Sequence, residues 1–276
     1  MSGLILVTGA TGKTGGSLLA QLRQAALPYR PASRRSPIPF DWERPDTWDA
    51  ALVDVASIYL VAPGTVKDPH LLLQDFIALA MRRGVGRFVF LSMAGLPAGG
   101  PAHGQVHQWL KDNSDDWAVL CPSAFMQNFS AGPSLPTIRD EDQIYSNTGD
   151  GRVPFIHVDD IAGCALAALS SPTPLNTDLV LTGDDPLSYD QVAALISQAC
   201  GRRITHTHVT MDEMTARLLA RGIPEATARL LAFGYQVVAA GAAERTTDVV
   251  QTLIRRPPIT FQAFAAANAD VWRRAG

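Results

Sequence analysis

The sequence predicts an α/β fold: a doubly wound parallel sheet with a smaller, mostly helical subdomain toward the carboxyl terminus. Three observations carry the prediction. An aliphatic run, Leu4-Ile5-Leu6-Val7, enters a glycine turn and then a helical pattern. Strand and helix patterns alternate along most of the chain, the order that builds a parallel sheet covered on both faces. The residues that interrupt them, Gly9, Arg34, Asp41, Ala62 and Ser92, fall at carboxyl ends of expected strands. Ligands bind at those ends in such sheets.

The first strand, from Leu4 to Val7, is short and apolar enough to be buried on both faces. Gly9, Gly12 and Gly15 follow it. Gly9 turns the chain off the strand, Gly12 lets the backbone approach a pyrophosphate, and Gly15 lets the next helix pack closely. The N–H groups and positive dipole end of that helix suit phosphate. Thr11, Lys13 and Thr14 complete the loop as pyrophosphate-binding candidates. The spacing is GxxGxxG, so a tight strand–helix turn without a ligand is the alternative. A Walker A loop is excluded, because the position five residues before Gly12 holds Val7.

Tyr29 to Ser33 reads as a second strand ending in Ser33-Arg34-Arg35-Ser36. That end meets the adenosine ribose in dinucleotide-binding folds. An acidic residue there bonds the 2′-hydroxyl, whereas guanidinium groups suit a phosphate dianion. The pair Arg34 and Arg35, with Ser33, therefore favours NADP over NAD; a solvated basic loop is the alternative. Ile38 to Asp41 is expected to be a third short strand, with Asp41 placed for an adenine amino group. A helix is expected from Asp46 to Leu52, with Asp46 as its N-cap.

Ser57 to Val61 is the next strand, and the small residues Ala62 and Pro63 at its end leave room for a ribose or nicotinamide. An amphipathic helix covers His70 to Arg83. Arg87 to Leu91 forms a strand leading to Ser92, and a helix spans Ala102 to Lys111. His103 and His107 share one face of it. With no HExxH glutamate and no third ligand, no metal site is expected there. A proton donor, a ribose-binding donor and surface histidines are the other readings.

Trp117 to Leu120 is a strand, followed by Phe125, Met126 and Phe129, which suit the wall of a hydrophobic substrate pocket. Core packing is an equal alternative for Phe129. Val153 to Ile161 suggests a short strand feeding a helix capped by Asp159 or Asp160, and Asp178 to Thr182 a further strand. Ser188 opens a helix to Cys200, Arg203 to Val209 is extended, and the remainder is mainly helical. The expected division is a dinucleotide-binding Rossmann domain over 1–155, its sheet completed from 156–185, and a substrate-covering subdomain over 186–276.

Bulk properties narrow the function. At 276 residues and 47% hydrophobic content, the chain can bury one large core. Its net charge of −3 gives no sign of a nucleic-acid or anionic-membrane partner, and the expected partner, a small apolar molecule, follows from the pocket candidates Phe125, Met126 and Phe129. Cys121, Cys164 and Cys200 are too widely spaced for a metal site and suit a reducing compartment as small packed residues. The first strand begins within four residues, which leaves no room for a signal peptide, and no apolar run has membrane length. A cytoplasmic protein is expected.

Several segments resemble one family: Gly12-Lys13-Thr14, Tyr59-Leu60-Val61, Arg87-Phe88-Val89, Gly104-Gln105-Val106-His107, Phe125-Met126-Gln127-Asn128-Phe129, Val158-Asp159-Asp160-Ile161 and Gly201-Arg202-Arg203-Ile204-Thr205-His206. With them the chain is similar to the NmrA-like, atypical short-chain dehydrogenase/reductases. Within these it looks like the ergot-alkaloid branch of agroclavine dehydrogenases and festuclavine synthases. The resemblance implies an NADPH-dependent reductase that passes hydride to an apolar imine, iminium or related conjugated acceptor. It places Ser92 and His103 nearest the reacting carbon as catalytic candidates, with His103 at the nicotinamide ribose. One departure is informative: no Tyr-x-x-x-Lys follows Ser92. An iminium needs hydride and no proton at carbon, whereas a ketone develops an alkoxide and wants a donor. The same resemblance leaves two other expectations: an NADP-sensing regulator without turnover, and an NADPH quinone reductase.

Overall fold

The computed structural model describes residues 3–64 and 69–274. In chain order its strands are β1 (Leu4–Val7), β2 (Tyr29–Pro31), β3 (Val55–Val61), β4 (Arg87–Leu91), β5 (Trp117–Pro122), β6 (Gln143–Ser146), β7 (Arg152–Val153), β8 (Thr177–Leu181), β9 (Leu187–Ser188) and β10 (Thr205–His208). The α-helices are α1 (Lys13–Gln24), α2 (Trp48–Leu52), α3 (His70–Arg82), α4 (His103–Asn113), α5 (Leu135–Glu141), α6 (Val158–Leu169), α7 (Tyr189–Cys200), α8 (Met211–Ala220), α9 (Glu225–Ala239), α10 (Val249–Ile254) and α11 (Phe261–Ala267).

The chain divides into two compact units. The first comprises Met1–Pro122, Val158–Leu181 and Val249–Arg256; the second comprises Ser123–His157, Thr182–Asp248 and Pro257–Gly276. The expected division ran at 155 and 186. In the structure the segment 123–157 packs with the second unit, and Val249–Arg256 returns to the first.

The first unit is the predicted doubly wound sheet. Its six strands run in the order β2-β1-β3-β4-β5-β8, every neighbouring pair parallel. Alternate strand residues face opposite layers. Leu6, Ile58, Leu60, Phe88 and Phe90 pack with Trp48 of α2, Phe76 and Ile77 of α3, and Val106 and Leu110 of α4 in one core. Helices α1 and α6 pack on each other and α10 on α6. Ser17 of α1 donates to the Asp159 carboxylate at 2.5 Å, and Gln21 donates to the Asp159 carbonyl at 2.9 Å. Buried Asp160 pairs with Arg256 at 2.6 Å. Both carboxylates lie in the first turn of α6 and tie it to neighbouring segments.

The expected third strand at Ile38–Asp41 is absent: this stretch is irregular. Pro37 and Pro39 remove two ladder donors, and the Phe40 N–H goes to the Ser33 carbonyl at 3.0 Å. Phe40 and Trp42 instead stack edge-on with each other and with Phe76, at centroid distances of 4.9 to 5.3 Å. Asp46 does not cap a helix. It sits inside the 3₁₀ turn Pro45–Thr47 and pairs with exposed Arg44.

In the second unit, β6 and β10 pair in parallel and β7 and β9 antiparallel. Ser188 and Thr210 open α7 and α8 with capping boxes completed by Gln191 and Glu213. The core gathers Phe129, Phe155, Tyr189, Phe261, Phe264 and Trp272. The Trp272 indole N–H donates to the Phe129 carbonyl at 2.8 Å. Among the described residues, no helix is long and apolar enough to cross a membrane.

Candidate dinucleotide site

The sheet order turns back between β1 and β3, the switch point where an open α/β sheet forms its crevice. Gly9 adopts φ +62°, a left-handed conformation disfavoured by L side chains. Its carbonyl accepts the Gly12 N–H at 2.8 Å. A Cβ on Gly15 would overlap that same carbonyl, at 2.7 Å from its carbon. Gly12 is the N-cap of α1 and offers no side-chain cap. The first-turn N–H groups therefore point away from the helix body without intrahelical partners. Thr11, Gly12 and Lys13 are exposed, whereas Thr14 and Gly15 are buried. Partial desolvation lowers the Lys13 pKa.

Thr8, just before the turn, was missed by the sequence reading. Its buried hydroxyl donates to the Tyr59 carbonyl at 3.0 Å and accepts the Val61 N–H at 2.7 Å. It clamps the ends of β1 and β3 together, which presents the glycine turn beside Ala62 and Pro63. The only sequence signal was a polar residue ending an aliphatic strand.

After β2, Ser33 shares a hydrogen bond with Ser36 at 2.9 Å and accepts the Arg35 N–H at 3.3 Å. This folds the loop so that the Arg34 and Arg35 side chains are exposed. Neither guanidinium has an ion-pair partner among the described residues. The Asp41 carboxylate accepts the Glu43 N–H at 3.1 Å, and its carbonyl accepts the Trp48 indole N–H at 3.0 Å. Asp41 thus organises its own loop and remains half-buried. Ala62 and Pro63 are half-buried at the end of β3.

Ser92 follows β4. Its N–H donates to the Leu120 carbonyl at 2.8 Å, while its buried Oγ has no hydrogen-bond partner among the described residues. His103 is the first residue of α4 and stacks on Phe90, with centroids 5.6 Å apart and planes 20° from parallel. Desolvation lowers its pKa, which favours the neutral imidazole at pH 7. His107 is buried against Trp117, its Nδ1 unpartnered. Among the described residues, neither histidine belongs to a group of potential metal ligands.

The three apolar candidates lie in the second unit. Phe125 is half-buried and bridges to Ile156. Phe129 is 1% exposed, edge-on to Phe155 and Phe261 at 5.2 and 5.5 Å, and so occupies the core position that the sequence left as its alternative. Met126 is 2% exposed and borders a cavity of about 240 Å³ with Phe155, Phe261, Asp184 and Asp185.

Comparison with known proteins places this geometry among relatives. The sequence profile of the NmrA-like family matches residues 40–264. Agroclavine dehydrogenase from Claviceps fusiformis is 39% identical, covering 97% of this chain and 98% of the relative. The NADPH-dependent quinone oxidoreductase of Escherichia coli, complexed with NADPH, shares the fold with a TM-score of 0.84 at 20% identity, over 95% of this chain and 99% of that one. NmrA, a negative transcriptional regulator in complex with NAD, superposes with a TM-score of 0.75 at 17% identity, over 98% and 96% of the two chains.

Proposed function

The chain belongs to the NmrA-like family, and from that premise we propose that it is an NADPH-dependent reductase passing hydride to an apolar imine, iminium or related conjugated acceptor. The coarser part, an oxidoreductase using a nicotinamide cofactor, is supported by a relative named as a dehydrogenase and by a structural neighbour named as an NADPH-dependent quinone oxidoreductase. The finer part is supported by the likeness to agroclavine dehydrogenase and by the missing Tyr-x-x-x-Lys.

One observation carries the cofactor assignment: the helix α1 starts on an uncapped glycine, held so close to the Gly9 carbonyl that no side chain fits at Gly15. That leaves backbone N–H groups free for a diphosphate, with Gly9, Thr11, Gly12, Lys13, Thr14 and Gly15 around it. Arg34 and Arg35, with Ser33, hold the 2′-phosphate, and Asp41 the adenine. Ala62 and Pro63 line the ribose and nicotinamide. His103, neutral, offers an N–H to the ribose, and the Ser92 hydroxyl gains the partner it lacks. When bound, the cofactor supplies the hydride. Phe125 and Met126 supply the apolar substrate side, with Phe129 behind them in the core. The chain's work is chiefly positioning and the exclusion of water.

The test is calorimetry with NADPH, followed by NADPH oxidation against iminium, imine and quinone panels. Turnover of C=N acceptors above quinones is expected. Absence of NADPH binding would overturn the whole assignment. Tight binding with no turnover on any panel would favour the second reading, an NADP-sensing regulator. That reading is supported by the missing proton donor and the NmrA likeness. Preference for quinones would favour the quinone reductase.

A further inference from the structure

In the second unit, well apart in sequence from the glycine turn, three side chains converge on one point. Asp190 sits in the first turn of α7, and His206 and His208 alternate on β10, so both rings project from the same face of the strand. The Asp190 carboxylate lies 3.2 Å from Nδ1 of His206 and 3.5 Å from Nε2 of His208. One ligand atom from each residue falls within 4.8 Å of the others. For a tetrahedral ion with bonds of about 2.0–2.1 Å, neighbouring ligand atoms stand about 3.3 Å apart. The two short edges match that spacing.

Two hydroxyls back the ring of His206. The Thr148 hydroxyl lies 2.7 Å from Ser146 Oγ. Nε2 of His206 shares a hydrogen bond with Ser146 Oγ at 2.8 Å. Nδ1 faces the Asp190 carboxylate at 3.2 Å. The His206 side chain is fully buried, so its ring is held in place. A ligating imidazole whose other N–H is held by a hydroxyl is the second-sphere arrangement that metal sites use. Asp190 and His208 are half exposed, so an ion can enter and water can take the fourth position.

We propose that Asp190, His206 and His208 form a binding site for one divalent ion of the zinc class, tying the start of α7 to β10. Two imidazoles and a carboxylate suit Zn²⁺ or Co²⁺ rather than Mg²⁺ or Ca²⁺. The assignment is independent of the cofactor reading, since its residues are separate from the proposed dinucleotide site.

The test uses full-length protein freed of metal with a chelator, titrated with ZnCl₂ by calorimetry and with CoCl₂ by visible absorption. One equivalent of Zn²⁺, an intense tetrahedral Co²⁺ spectrum and a higher melting temperature are expected. His208→Ala and Asp190→Ala, both at exposed positions that the core does not need, should each weaken binding at least about tenfold. Ser146→Ala, which frees the ring of His206, should weaken it about 10- to 100-fold. No saturable uptake by the wild-type protein, or uptake unchanged in both His208→Ala and Asp190→Ala, overturns the proposal. NADPH titration of the metal-free protein separates the two sites: it should be unaltered.

Discussion

Gly15→Ala tests whether the α1 turn is built around a missing side chain. An added Cβ would lie 2.7 Å from the Gly9 carbonyl carbon and 3.2 Å from Ala10 Cα, and closer still to the Gly9 oxygen. All three are backbone atoms, so no side-chain rotation relieves the clash. Ordinary contact begins near 3.4 Å, a shortfall of about 0.7 Å at the carbon. Gly9 also accepts the Gly12 N–H, so a retreat of its carbonyl disturbs the N-cap of α1. Overpacking of this kind costs about 1–3 kcal/mol, against a helix-propensity gain of about 1 kcal/mol. The expected net effect is a loss of up to about 2 kcal/mol. Misaligning one charge-assisted N–H contact to phosphate costs at least about tenfold in NADPH affinity. Gly16→Ala is the control on the same helix. Its Cβ meets only the Ala10 carbonyl at 3.8 Å, an ordinary contact. It should stabilise by about 0.5–1 kcal/mol and leave affinity unchanged. Thermal melts and NADPH calorimetry on both variants decide the matter. If Gly15→Ala melts and binds like Gly16→Ala, the close-approach argument is wrong.

Replacing both Arg34 and Arg35 with Ala should weaken NADPH at least about tenfold while leaving NADH within about twofold; equal losses for both, measured by calorimetry, refute the 2′-phosphate assignment. Burial pushes the Cys121 and Cys164 thiols up to about 12, so native protein at pH 8 should show fast reaction with a disulfide reagent at half-buried Cys200 alone, and all three thiols after denaturation. Early modification at Cys121 or Cys164, seen by peptide mass mapping, contradicts their burial. Desolvation lowers the pKa of both His103 and His107 from 6.5. The unfolded chain then binds protons more readily, so the stability tied to their neutral rings is present above pH 6.5 and is lost as pH falls through the lowered values. Urea midpoints should drop from pH 7.5 to pH 5, and His107→Gln should flatten that slope; a slope unchanged by the substitution assigns the effect elsewhere.

How much of this was legible in the sequence depends on the range of the interaction that decides each feature. The turn after β1 was legible because its causes are local: a four-residue aliphatic strand, glycines at fixed offsets, and a helix that begins where no side chain caps it. The sheet followed from repetition of that pattern, and the Ser188 cap of α7 from the serine itself. The loop between β2 and α2 was misread because its decisive contacts are tertiary. Phe40 and Trp42 alternate like strand residues, yet Phe76 on α3 offers them an edge-on aromatic partner, and Pro37 and Pro39 withhold the donors that a strand requires. The same reason leaves Phe129 undecided in sequence: its partners Phe155, Tyr189 and Phe261 come from distant segments, and no local period distinguishes a cavity wall from a packed core. The Asp190–His206–His208 cluster is the sharpest case. His-x-His on a short strand is compatible with two solvent-facing rings. It becomes a candidate ligand set only because β10 pairs in parallel with β6, which brings Ser146 behind His206 and leaves the first turn of α7 in front of it. A local signal fixes which residues can serve a site, whereas the long-range pairing fixes which of them meet.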